Sequence, residues 1–201
     1  MTARAVRIGR KAQSFGMRAA EPLQAVLLTI DAAKRSGVAL YVRGRLHSYG
    51  EADASRGTWR RQVVRDAVTT AEVRGLPLAA VLEVPFGGRL NAALSLSATA
   101  ELWRDTWRSA GQPRERMFEF TANEWRRALF GHAGMPRAQA RRFEAELATE
   151  AAWRDLHESR QYSIGADEAA AICIGQVAVY SSAIAERLGL SPIVARRPYT
   201  P

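Results

Sequence analysis

The chain has 201 residues, enough for one ordinary domain with a sizeable core, and its 47% hydrophobic and 24% charged content marks it as globular. A formal net charge of +9, carried almost wholly by arginine, favours an acidic partner such as nucleic acid, because neutralised phosphates release counterions; the base composition of the source genome would also raise arginine and alanine. The lone Cys173 excludes an internal disulfide and a cysteine-cluster metal site, and no segment is long and apolar enough to span a membrane.

Residues 1–22, MTARAVRIGRKAQSFGMRAAEP, are basic and acid-poor. They read as a flexible basic arm. The same composition suits a transit peptide, which leaves an organellar destination open beside a bacterial or phage cytoplasm. Next, AVLLTIDAA (25–33) and GVALYVRG (37–44) predict two strands joined by the turn Lys34-Arg35-Ser36, and RLHSYGEA (45–52) predicts a third. In TWRRQVVRDAVTTAEVRG (58–75), Val63, Val64, Ala67, Val68 and Ala71 recur at helical spacing up to Gly75.

LPLAAVLEVP (76–85) is apolar without alternation, as in a strand covered on both faces. A long helix over 91–111 carries Trp103 and Trp107 one turn apart, and ERMFEFTA (115–122) predicts a further strand. Helices follow at ANEWRRALF, at 137–160 and at 165–190, the last opening with acids that its dipole favours. Three meandering strands followed by strand–helix crossovers predict an α/β fold, a mixed five-stranded sheet with helices on both faces spanning 23–190. Residues 191–201 read as a flexible tail.

Two carboxylates stand out, because each follows an apolar strand run. Asp31 ends the first strand and Glu83 sits near the end of the fourth, and sites in open α/β sheets form at strand ends. Asp167 and Glu168 open the last helix. Singly, such residues are ordinary turn, cap or helix-start acids. Gathered in one place, ionised carboxylates would repel one another unless a divalent cation lay between them. Mg²⁺ prefers oxygen ligands and keeps several waters, so two or three carboxylates and a phosphate suit it.

Asp31 with the following KRSGVAL, Glu83 in LEVPF, and GADEAAAICIG resemble the RuvC family of Holliday-junction resolvases, which have the RNase H-like fold. The likeness covers about 25–188 and extends to EWRRALFGHAGMPRAQARRFEAEL, where the family has a basic residue, an apolar stretch and a glycine before a loop and a basic helix. The family uses four acids, two of them about a turn apart at the last helix. Asp31 and Glu83 match directly, and Asp167 matches one acid of the pair, but Ala170 stands three residues on. Either Glu168 serves as a ligand, or three carboxylates suffice, or the register is shifted so that Ser163 or Ile164 occupies the other acid's place.

The resemblance implies a homodimer that resolves four-way or branched DNA by paired symmetric nicks. It implies two Mg²⁺ ions per site, with Mn²⁺ as a substitute, held by Asp31, Glu83, Asp167 and Glu168, and no small-molecule cofactor. It implies that Phe86 stacks at the branch point, and that Arg126, Arg127, Arg137, Arg141 and Arg142 face DNA. Arg60, Arg61 and Arg65 form a second basic group on the first helix, and Trp103 and Trp107 form an apolar stripe on the helix that builds the family's dimer. His47, His132 and His157 are scattered and read as surface or loop residues, His132 near the DNA-facing loop. The alternatives are another RNase H-like nuclease acting on branched DNA or RNA–DNA hybrids, and a non-catalytic junction-binding protein, which the alanine at position 170 favours.

Overall fold

The computed structural model describes residues 21–84, 90–131, 134–157 and 163–190, with side chains from residue 94 onward in the second of these segments. Phe86, His132, the first twenty residues and the tail from 191 lie outside the described residues. Strands β1 (Val26–Asp31), β2 (Arg35–Val42), β3 (Arg45–Asp53), β4 (Leu78–Val84) and β5 (Met117–Thr121) form one sheet in the order β3-β2-β1-β4-β5. The first three are antiparallel, whereas β4 and β5 run parallel to β1. This is the predicted mixed five-stranded sheet.

Helices cover both faces. Helices α1 (Gly57–Arg74) and α2 (Leu90–Ser109) lie on one side; α3 (Ala122–Phe130), α4 (Arg137–Leu156), α5 (Ala166–Ala178) and α6 (Ser182–Arg187) lie on the other. The central strands β1 and β4 therefore bury both faces, which explains their unbroken apolar runs. The α5 side packs Leu27, Tyr41 and Val81 against Ile172, Ile174 and Trp125; the α1/α2 side packs Leu28, Ile30 and Leu82 against Val64, Trp103 and Trp107. Both tryptophans of α2 are core residues. The indole N–H of Trp103 donates to Ser36 Oγ at 3.0 Å, and that of Trp107 donates to the Pro113 carbonyl at 2.9 Å.

Three expectations are corrected. Arg60 is not a surface cation: it is buried in α1, donating to the Ala54 carbonyl and, at 3.1 Å, to Thr106 Oγ1. The segment 165–190 is two helices, because the Leu23 N–H takes the Val179 carbonyl at 2.7 Å and Ser181 caps the restart by accepting from the Ile184 N–H. Helix α4 ends at Leu156, closed by His157 in the left-handed region (φ 58°). Among the described residues, no helix is long and apolar enough to cross a membrane.

Small residues let α5 lie directly on the sheet. A side chain at Gly175 would run into the ring of Tyr41, whose hydroxyl donates to the Ile172 carbonyl at 2.7 Å. Thr29 on β1 reaches the same helix, donating to the Ala171 carbonyl at 2.7 Å. The helix is thus tied to the two strands that lead into the site.

Candidate active site

The site is set by strand register. Asp31 pairs with Glu83 across the parallel β1–β4 ladder, at the C-terminal end of both strands and on the face that α5 covers. On its other side Asp31 pairs with Gly37 of β2. A Cβ on Gly37 would collide with the Asp167 carbonyl, so the first turn of α5 rests on the sheet beside Asp31. Three acids distant in sequence are thereby brought to one end of the sheet.

Helix α3 supplies the support. Thr121 and Glu124 form a capping box that starts α3 directly after β5, with the Glu124 carboxylate accepting from the Thr121 N–H at 2.7 Å. The next residue, Trp125, is fully buried and donates its indole N–H to Glu83 Oε2 at 2.6 Å. The Arg126 guanidinium lies 4.8 Å from the centre of the Trp125 ring and donates through Nε to Glu144 Oε1 at 2.8 Å.

The electrostatics follow from crowding. Burial raises the Asp31 carboxyl well above the ordinary aspartate range; the charges of Glu83, Asp167 and Glu144 act in the same direction, and Arg126 opposes them. Burial raises Glu83 too, while the Trp125 hydrogen bond and Arg126 pull it down. Asp167 is raised by burial and by Glu51, against Arg141, Arg35 and Arg137. Arg137 and Arg141, both exposed in the first turns of α4, therefore share the rim with Asp167.

Other expected residues fall elsewhere. The Glu168 carboxylate accepts from the Gly165 N–H at 2.8 Å, so it caps its own helix instead of joining the acid pair. Ala170 is packed into the core and Ile164 lies against the same cluster, so neither place offers a fourth acid. Arg126 is engaged with Glu144, Arg127 is exposed on α3, and Arg142 pairs with Glu146 along α4. His47 is exposed on β3.

Two acids escaped sequence reasoning. Glu144 is only 2% exposed and sits in the buried stripe Ala140, Glu144, Ala148, Ala152 of α4, so the signal was an acid on an otherwise alanine face. Glu51 on β3 pairs with Arg35 at 2.9 Å and reaches the vicinity of Gly165; the alternation of an edge strand carries no sign of it.

The donor set fits a hard divalent cation. Asp31 and Glu83 offer carboxylate oxygens side by side with Asp167 at the rim, while Cys173 is buried with its thiol pushed far up by burial. Among the described residues, no three acidic, histidine or cysteine side chains are already drawn together closely enough to chelate an ion.

Because the folded state holds the Asp31 proton more tightly than the unfolded chain, stability falls as pH rises from the ordinary value of 3.8 through the raised folded value. Metal-free Asp31→Asn is expected to be more stable than the parent at about pH 8, with the difference vanishing towards about pH 4. Urea denaturation in the presence of a chelator measures this; a pH-independent difference would remove the Asp31 charge as its source.

No protein-family model matches the sequence, and no curated protein matches it significantly. Solved structures do match. A structure of Thermus thermophilus RuvC aligns at 16% identity over 82% of this chain and 96% of its own, with a TM-score of 0.51. The structure of T. thermophilus RuvC in complex with Holliday junction substrate aligns at 17% identity over 84% and 98%, with a TM-score of 0.54. The chain therefore has the RNase H-like fold of these RuvC structures.

Proposed function

We propose that the protein is a metal-dependent, structure-selective endonuclease that resolves four-way DNA junctions. The observation that carries this reading is the pairing of Asp31 with Glu83 at matched strand ends, with Asp167 laid against Gly37 beside them. Support comes from the fold, shared with a RuvC solved in complex with a Holliday junction substrate. It comes also from Arg35, Arg137 and Arg141, whose charges act on Asp167.

Asp31, Glu83 and Asp167 would hold Mg²⁺ or Mn²⁺, two ions per site. The chemistry such ions supply is activation of a water and stabilisation of the departing 3′ oxygen in an in-line displacement. The protein's own part is positional: Trp125 fixes the Glu83 carboxylate by its indole N–H, and the close seat of α5 on Gly37 fixes Asp167. Arg137 and Arg141 would hold the phosphates on either side of the scissile bond.

Incubation of the full chain with a labelled four-way junction, a flap, an RNA–DNA hybrid and linear duplex tests the reading. Magnesium-dependent nicking of the junction, lost in Asp31→Asn with junction affinity retained, is expected. Cleavage surviving in Asp31→Asn would overturn the assignment, preferential cutting of the hybrid would indicate the other nuclease class, and binding without cutting would indicate a non-catalytic junction binder. Asp167→Asn should slow single-turnover cleavage far more than Glu168→Gln, since Glu168 is engaged in capping.

Each phosphate contact contributes about 0.9 to the slope of log affinity against log salt. The double substitution Arg137→Ala/Arg141→Ala is expected to lower that slope by roughly 1.8. An unchanged slope would place both side chains away from the backbone.

Paired nicks need two copies of the site, and the outer face of α2 offers a place for the second chain. Leu94 and Leu102 lie two turns apart and are 59% and 38% exposed, and Ala98 between them is also exposed. Sedimentation should give a dimer that Leu94→Asp/Leu102→Asp splits. A parent chain that is monomeric at working concentration would exclude this arrangement.

A further inference from the structure

We infer that Glu144 is the counter-charge that keeps Arg126 from neutralising the acid pocket, and that it thereby governs how readily the pocket accepts a divalent cation. The inference rests on the metal-dependent reading above. Glu144 is a charged side chain 3% exposed, placed on α4 with Arg126 as its ion-pair partner. Arg126 follows Trp125, whose indole is bonded to Glu83, and the guanidinium lies over that same indole. One cation is thus paired directly with Glu144 and lies over the indole that holds Glu83.

The two influences on that pair are opposite in sign. Arg126 is an attractive charge for the carboxylates of Asp31 and Glu83, and its ion-pair partner Glu144 is a repulsive one. A guanidinium and a divalent metal ion are alternative partners for the same half-buried carboxylates, since either satisfies oxygens that have lost part of their water. While the bidentate-capable arginine is committed to Glu144, its charge is compensated locally and the pair contributes nearly nothing to the net charge of the pocket. Replacing the Glu144 carboxylate by an amide removes the ion-pair partner of Arg126 and leaves its charge free to act on Asp31 and Glu83. The pocket would then be filled from within. Glu144 is paired with Arg126 and is not one of the three proposed metal ligands, so its role is positioning, exerted through Arg126.

The test uses the full chain without DNA and Mn²⁺ as the probe, followed by calorimetric titration and by the Mn²⁺-dependent rise in melting temperature. Loss of a partner outside the ligand shell commonly weakens metal binding by about 10–100-fold, and that weakening is expected for Glu144→Gln. The double variant Glu144→Gln/Arg126→Gln, which removes the competing cation, should return to near the parent's affinity. Either an unchanged affinity in Glu144→Gln, or a double variant as weak as the single one, would overturn the inference. A loss of melting temperature with unaltered Mn²⁺ affinity would do so too, by reducing Glu144 to a packing role. If instead the parent chain takes up no Mn²⁺, or Asp31→Asn takes it up equally well, the metal site itself fails. Those results differ from every outcome that bears on Glu144 alone.

Discussion

Two carboxylates held side by side in low dielectric are the constraint around which the molecule is built. The parallel β1–β4 register leaves Asp31 and Glu83 no choice of neighbour, and both strands are covered on both faces by apolar side chains. Both acids are half-buried. Two features nearby answer that repulsion: an indole N–H is spent on Glu83, and an arginine is brought within range of both; the close seat of α5 on Gly37 works against them by bringing a third acid to the rim. Folding tolerates the arrangement because the two cores on either side of the sheet are extensive, with three tryptophans buried whole.

The sheet and the helix that lies on it depend on one another at close range. Gly37 and Gly175 leave the space that the Asp167 backbone and the Tyr41 ring occupy, and Thr29 and Tyr41 hydrogen-bond carbonyls in the middle of α5. Those carbonyls also accept within the helix, so the extra bonds act as pins that set its height and angle. The acid on the first turn is located by these pins as much as by its own surroundings.

Much of this was legible in the chain. The order of strands and helices followed from apolar runs, helical spacing and a left-handed stop at Gly75, all of which are local signals. Asp31 and Glu83 were legible because an acid terminating a buried run is chemically out of place. What local signals do not carry is tertiary competition for backbone groups. The break before α6 depends on Leu23 capturing a carbonyl from the far end of the domain. Arg60 reads as a surface cation until Ala54 and Thr106 are seen to surround it. The capping of Gly165 by Glu168 was concealed by the expectation that an acid near Asp167 must join it. Glu144, an acid amid buried alanines, could have been noticed from spacing, yet its partner could not, because Arg126 lies on a different helix.

The position of α5 in the chain has an effect on biosynthesis. Strands β1 to β3 emerge first and can pair at once, but the face bearing Leu27, Tyr41 and Leu46 lacks the helix that lies directly on β1 and β2 until residues 166–178 have been made. A nascent chain therefore carries an incompletely covered apolar sheet until α5 has been made, the circumstance in which holding chaperones are most needed. The segment that finally shields that surface is also the one that brings Asp167, so a prematurely terminated product would be both adhesive and short of an acid.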